Sequence, residues 1–247
     1  MKRFGLTGYP LEHSFSPSIF REIFKTGHSG DCSYELFPLE SAYQIKELAE
    51  GSDDICGLQV TIPFKETIIP FLDELHGSAK EAGAVNTIKI IRSSGKVFLK
   101  GYNTDTWGFE HSTNAFDNFT HALILGTGGA AKAVAAVLRK RKLELLMVSR
   151  NPAKEGEIGY DDLGRFINGK FKWIINATPA GMYPNTGDYP AIPYHLLTHN
   201  HFLYDLIYNP EETVFLSRGK MAGANTMNGL RMLHLQAEKS WEIWITE

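Results

Sequence analysis

The stretch ALILGTGGAAKAV, residues 122–134, decides the fold. Its first four residues are apolar and read as a buried strand, and an alanine-rich run over 130–140 has the composition of a helix. Between them Gly126, Gly128 and Ala131 give the spacing G-x-G-x-x-A. The first glycine permits a tight turn out of the strand, the second lets a pyrophosphate approach the backbone, and the alanine allows the helix to pack closely on the sheet. The free N–H groups and positive dipole of the helix start suit phosphate. Gly126, Thr127, Gly128, Gly129 and Ala130 are therefore the candidate dinucleotide-binding residues.

Downstream, the next strand over 145–149 runs into SRNPAK. A site for NAD places an acid there for the ribose 2′-hydroxyl. This chain has Ser149 and Arg150 instead, with Lys154 shortly after, and a guanidinium suits a 2′-phosphate. The expected cofactor is NADP. Strands over 173–177 and 202–206 follow. Loops at the carboxyl ends of such strands line a ligand crevice, which puts Asn176, Ala177 and Thr178 at its border, although Pro179 and Gly181 give an ordinary turn an equal claim.

Upstream, strands are expected over 3–8, 33–37 and 57–61, and helices over 17–26, with Ser16 as N-cap, and 41–49. A hairpin is expected from 84–91 to 96–100 across RSSG. Strand and helix alternate throughout, which implies an α/β architecture of two α/β domains with largely parallel sheets. The boundary is placed near residues 101–106. A helical stripe over 228–244 closes the pattern. The chemistry-bearing side chains of this half are Ser14 and Ser16 before a helix, Thr61 and Lys65 in a loop after a strand, Asn86 and Thr87, and Asn103 and Asp105. Serine hydroxyls at a helix start suit a carboxylate, and a lysine in a cleft can give a proton to a developing alkoxide.

Bulk properties narrow the class. The 247 residues carry a net charge of −3 with no long basic run, which argues against a nucleic-acid partner. No stretch has the roughly 20 apolar residues of a membrane span, and the start lacks a signal-peptide pattern. Cytoplasmic placement is the expectation. The two cysteines show no metal-ligand spacing, and no metal is expected.

Six segments, in order, resemble the shikimate dehydrogenase family over nearly the whole chain. They are H-S-x-S-P at 13–17, V-T-x-P-x-K at 60–65, G-A-x-N-T at 83–87, N-T-D at 103–105, the glycine-rich turn at 126–130, and G-x-x-M-L-x-x-Q-A at 229–237. The resemblance implies a substrate-binding domain of residues 1–103 completed by a returning C-terminal helix, about 228–247, and a Rossmann-type NADP domain of 104–227. Shikimate or 3-dehydroshikimate is expected between them. Its carboxylate would meet Ser14, Ser16 and Tyr208, and its ring hydroxyls Thr61, Asn86, Asp105 and Gln236. Lys65 would stand at the reacting oxygen, with Leu206 and Gly229 edging the nicotinamide. Lys65 and Asp105 are the expected catalytic pair, in a monomer or homodimer.

The chain departs from the family pattern in two places. Gln59 stands where the family usually has Asn, and its role is open. The segment between Arg150 and Asn176 is short, leaving little room for a full helix beneath the adenine. Two other readings remain: a relative acting on quinate or an amino-substituted ring acid with NAD, and a silent sensor that binds NADP or the ring acid.

Overall fold

The computed structural model describes residues 1–12, 14–27, 31–116 and 118–246. It divides into two compact units, one of residues 1–108 with 234–247 and the other of residues 109–233.

The first unit is built on strands β1 (Lys2–Gly8), β2 (Cys32–Pro38), β3 (Ile55–Val60), β4 (Glu74–Leu75), β5 (Thr87–Ser93) and β6 (Lys96–Tyr102). Their order is β2-β1-β3-β5-β6-β4. The pairs β1·β2, β1·β3 and β4·β6 are parallel, while β3·β5 and β5·β6 are antiparallel. The sheet is thus parallel-rich but mixed, with three parallel and two antiparallel pairings. For β5·β6 the cause is local: Ser94 and Gly95 form a two-residue turn with φ of 52° and 75°, the left-handed pair that suits a tight hairpin. Helices α1 (Ser16–Thr26), α2 (Ile45–Glu50), α3 (Phe64–Thr67) and α4 (Gly77–Ala82) belong to this unit, and α5 (Asp105–Ser112) starts in it. The expected helix over 41–49 is a 3-10 turn, Ala42–Gln44, running into α2; a capping box between Ser41 and Gln44 fixes its start. One face of the sheet buries an aliphatic core around Ile45, Leu58, Ile68 and Ile88. An aromatic group that includes Phe4, Phe20 and Trp244 also packs in this unit, with Phe4 stacked on Trp244 at 5.0 Å between ring centroids.

The second unit holds β7 (His121–Leu125), β8 (Glu144–Val148), β9 (Glu157–Ile158), β10 (Trp173–Asn176), β11 (Phe202–Asp205) and β12 (Asn225–Met227). All its pairings are parallel, in the order β12-β11-β10-β7-β8-β9. Renumbered from β7 this is 3-2-1-4-5-6 in spatial sense, the doubly wound order, and its direction reverses between β7 and β10. The alanine-rich helix α6 (Gly129–Lys140) buries Ala131, Val134, Ala135 and Leu138 against the sheet. Strand β9 follows β8 directly, and the crossover from β9 to β10 carries a 3-10 turn and the six-residue helix α7 (Leu163–Asn168). Helix α8 (Val214–Met221) follows Thr213, whose hydroxyl caps it by accepting from Leu216 N. Helix α9 (Leu230–Ile245) begins here and ends in the first unit.

Candidate functional site

Three segments of the first unit are tied backbone to backbone. Val60 N donates to Asn86 O, Val85 N to Lys65 O, and Asn86 N to Tyr102 O. These ladder-like bonds bring the 60–65 loop, the 83–87 segment and the start of α5 to one place. Asn103 completes the join by donating from its amide to Ala84 O and accepting from Thr106 N. It is 2% exposed and serves as scaffold.

At this junction Lys65 Nζ donates to Asp105 Oδ2 at 2.7 Å. The lysine side chain is 18% exposed and the aspartate 8%. The other carboxylate oxygen accepts from Asn86 Nδ2 at 2.9 Å. Asn86 Oδ1 accepts in turn from Thr104 N at 2.7 Å, which fixes the amide and hence the carboxylate. A largely buried ion pair adds little to stability once desolvation is counted, so its presence points to chemistry.

The network continues inward. Thr104 Oγ1 and Thr87 Oγ1 both lie within hydrogen-bond distance of Ser240 Oγ, at 3.0 and 2.8 Å. Ser240 donates to Gln236 O, and Gln59 Nε2 donates to Gln236 Oε1 at 2.7 Å. Gln236 is 7% exposed on α9. Ser240, Thr104 and Tyr34 escaped the sequence reading. Ser240 sits four residues after Gln236 on one helix face, a spacing that could have suggested it. Nothing in the sequence marks Tyr34.

Thr61 is half-buried just past β3, its N–H held by Thr7 O. Ser16 is not the N-cap of α1: it is the first helical residue, buried, after Phe15. The reason is that Pro17 can occupy the first turn while Ser14 Oγ accepts from Ser16 N at 3.2 Å, satisfying that donor from outside the helix. His13 of the H-S-x-S-P segment lies outside the described residues.

In the second unit the glycine-rich turn leaves β7 and the 176–178 loop leaves β10, flanking the point where strand order reverses. Gly126 has φ of 106°, and a Cβ there would stand 3.1 Å from Thr178 Cγ2 and 3.2 Å from Ala177 O. Gly128 precedes α6 and has open space where a Cβ would be. With Thr127, Gly129 and Ala130 it forms a helix start whose first N–H groups have no intrahelical acceptor. This cradle fits a pyrophosphate. Ser149 follows β8 and accepts from Asn151 N, while Arg150 and Lys154 are exposed beyond it. Burial pushes the Tyr160 phenol up, and the nearby Arg150 charge partly opposes this. Exposed cations at that strand end fit a 2′-phosphate.

Asn176 is fully buried. Its amide donates to Asp205 Oδ1 at 3.0 Å and accepts from Thr178, so it shapes the loop while Ala177 and Thr178 stay half-buried at the border. Leu206 and Tyr208 follow β11, both half-buried. Gly229 is held against this segment: a Cβ on it would collide with the backbone of Leu206. Among the described residues no group of three or more His, Cys, Asp or Glu could hold a metal ion, and no helix is long and apolar enough to cross a membrane.

Residues 6–88 match the model of the shikimate dehydrogenase substrate binding domain. The shikimate dehydrogenase (NADP(+)) of Desulforamulus reducens is 38% identical, over 97% of this chain and 88% of that protein. Shikimate dehydrogenase 1 from Peptoclostridium difficile is 38% identical, with a TM-score of 0.85 over 99% of this chain and 91% of that one. The Thermus thermophilus enzyme, solved in complex with NADP(H) and shikimate, is 28% identical with a TM-score of 0.83, over 99% and 94% of the two chains.

Proposed function

The chain belongs to the shikimate dehydrogenase family, and on that premise we propose that it is an NADP-dependent oxidoreductase interconverting 3-dehydroshikimate and shikimate. The observation that carries the reading is the 2.7 Å contact of Lys65 Nζ with Asp105 Oδ2, held in place by Asn86. Residues 1–103 with 228–247 take the substrate, and 104–227 take NADP. The compact units of 1–108 with 234–247 and of 109–233 support that division.

Ser14, Ser16 and Tyr208 hold the ring acid's carboxylate. Thr61, Asn86, Asp105 and Gln236 address its hydroxyls. Gly126 to Ala130 receive the pyrophosphate, Ser149, Arg150 and Lys154 the 2′-phosphate, and Asn176, Ala177, Thr178, Leu206 and Gly229 shape the nicotinamide end. NADP, when bound, supplies the hydride acceptor, and its reduced form the donor. As the ring carbonyl carbon gains hydride, the Lys65 ammonium gives its proton to the carbonyl oxygen, and in the oxidising direction the neutral amine takes it back. Asp105 keeps the ammonium aimed at that oxygen. We take reduction as the working direction. A cytoplasmic setting agrees with the half-buried free thiols Cys32 and Cys56, which suit a reducing compartment. Every side chain invoked comes from one chain, so a monomer or homodimer suffices.

Initial rates of nicotinamide reduction test this, comparing shikimate with quinate and NADP with NAD. Shikimate with NADP should be fastest. In Arg150→Ala the KM for NADP should rise by about tenfold or more while that for NAD stays level, as loss of a charged hydrogen bond predicts. Preference for quinate or NAD would overturn the pocket or the Arg150 assignment, and binding without turnover would leave a sensor.

A further inference from the structure

Gln59 stands where the family usually has Asn, and its bonds form a chain with a direction. Ser240 Oγ gives its one proton to the carbonyl of Gln236 at 2.8 Å, since a carbonyl can only accept. Toward Gln59 that hydroxyl must then accept, and Gln59 Nε2 lies 3.3 Å away. This settles the Gln59 amide: nitrogen toward α9, oxygen toward β2, where Tyr34 OH donates to Oε1 at 2.8 Å. The same nitrogen donates to Gln236 Oε1 at 2.7 Å. Gln236 therefore has its oxygen turned to Gln59 and its NH2 end turned the other way. Gln59 is 3% exposed, so water does not substitute for these partners.

We propose that Tyr34 and Gln59 are positioning residues that set the polarity of the Gln236 amide, so that Gln236 meets the ring as a hydrogen-bond donor. The substrate class this selects is a ring bearing an oxygen acceptor at that position, in preference to a ring ammonium, which can only donate. The inference rests on the proposed contact of Gln236 with the substrate. An asparagine at 59 is one methylene shorter, which explains why the longer amide here spans from the β2 tyrosine to α9.

Gln59→Glu tests the polarity. While the introduced carboxyl is neutral, it donates to Gln236 Oε1 as the glutamine does. Once ionised it can only accept, and it turns the Gln236 NH2 toward itself and away from the ring. The KM for shikimate in this variant should match the parent in mildly acidic buffer and rise about three- to tenfold in mildly alkaline buffer, the worth of one hydrogen bond, with kcat within twofold. Parent and Gln59→Leu should show no such extra pH step. Among the described residues, Tyr34 on β2 is the titratable group that hydrogen-bonds Gln59; β1, β5 and α9 meet it with Leu6, Thr87, Gln236 and Ser240, which do not titrate. Tyr34→Phe gives a second arm that keeps the charge out of the core, with a smaller KM rise expected. A Gln59→Glu profile parallel to the parent, or an unchanged KM in Tyr34→Phe should the glutamate variant not fold, overturns the proposal. Gln236→Leu separates the two layers: an unchanged KM there removes the substrate contact itself. A raised KM there with a parent-like Gln59→Glu profile removes only the relay.

Discussion

Asp105 and Asp205 are built into similar surroundings. Each accepts from an asparagine amide, Asn86 at 2.9 Å and Asn176 at 3.0 Å, and each is buried. They differ in the remaining partner. Asp105 faces the Lys65 ammonium, whereas Asp205 receives Ile207 N and the Thr213 hydroxyl, at 3.0 and 2.6 Å. Dipoles alone compensate a buried charge less well than a cation does. Burial accordingly pushes the Asp205 carboxyl up to about 7, against the hydrogen bonds that lower it. One carboxylate belongs to the pair proposed to transfer the proton. The other is an anchor that ties β10, β11 and the start of α8 together.

The contrast breaks most visibly at Lys65. Lys65→Ala should lower kcat about a hundred- to ten-thousandfold, the range of general acid–base catalysis, with KM for shikimate far less affected. Equal losses in kcat and in substrate affinity would reduce the lysine to a binding group. Next, Asp105→Asn keeps the shape but removes the charge beside Lys65, and kcat should fall about ten- to a hundredfold, the worth of a charged hydrogen bond. Parent-like turnover would show that the ammonium needs no counter-charge.

The smallest effect belongs to the anchor and is read in stability. Asp205 starts from 3.8 when unfolded and stands near 7 when folded. Between those values the native state keeps a proton that the unfolded state has lost, so this group makes stability fall as pH rises through that window and adds no further slope above it. Asp205→Asn should flatten that slope, a difference of about 1–3 kcal/mol between mildly acidic and neutral pH. Urea titrations at several pH values measure it. An unchanged slope in the variant would mean that Asp205 is ionised throughout.

Much of the second unit was legible because parallel buried strands are continuous apolar runs. Residues 121–125, 173–176 and 202–205 stand out as such runs, and β12 was missed because Asn225–Met227 has none. In the first unit the strands that flank the site were found, and so was the hairpin across RSSG. The antiparallel pairing of β3 with β5 was not, because the two strands are separated by α3, β4 and α4 and no local turn marks their direction. Lys65, Asp105, Asn86 and Gln236 could be named through motif order. The relay behind Gln236 could not: Gln59 and Gln236 stand 177 positions apart, and no local pattern encodes such a pairing.

Helix α9 has a consequence for how the molecule is made. Residues 109–233 form a complete unit from one uninterrupted length of chain, whereas strands β1 to β6 are finished only by residues 234–247. Trp244 stacks on Phe4 and donates to Ile88 O, and a Cβ on Gly57 would collide with its ring. During synthesis, then, the earliest strands leave the ribosome with an apolar seat still vacant, and the later unit can close first. Domains usually mature from the N-terminus onward; here the first unit is completed last, by a tryptophan 240 positions after Phe4.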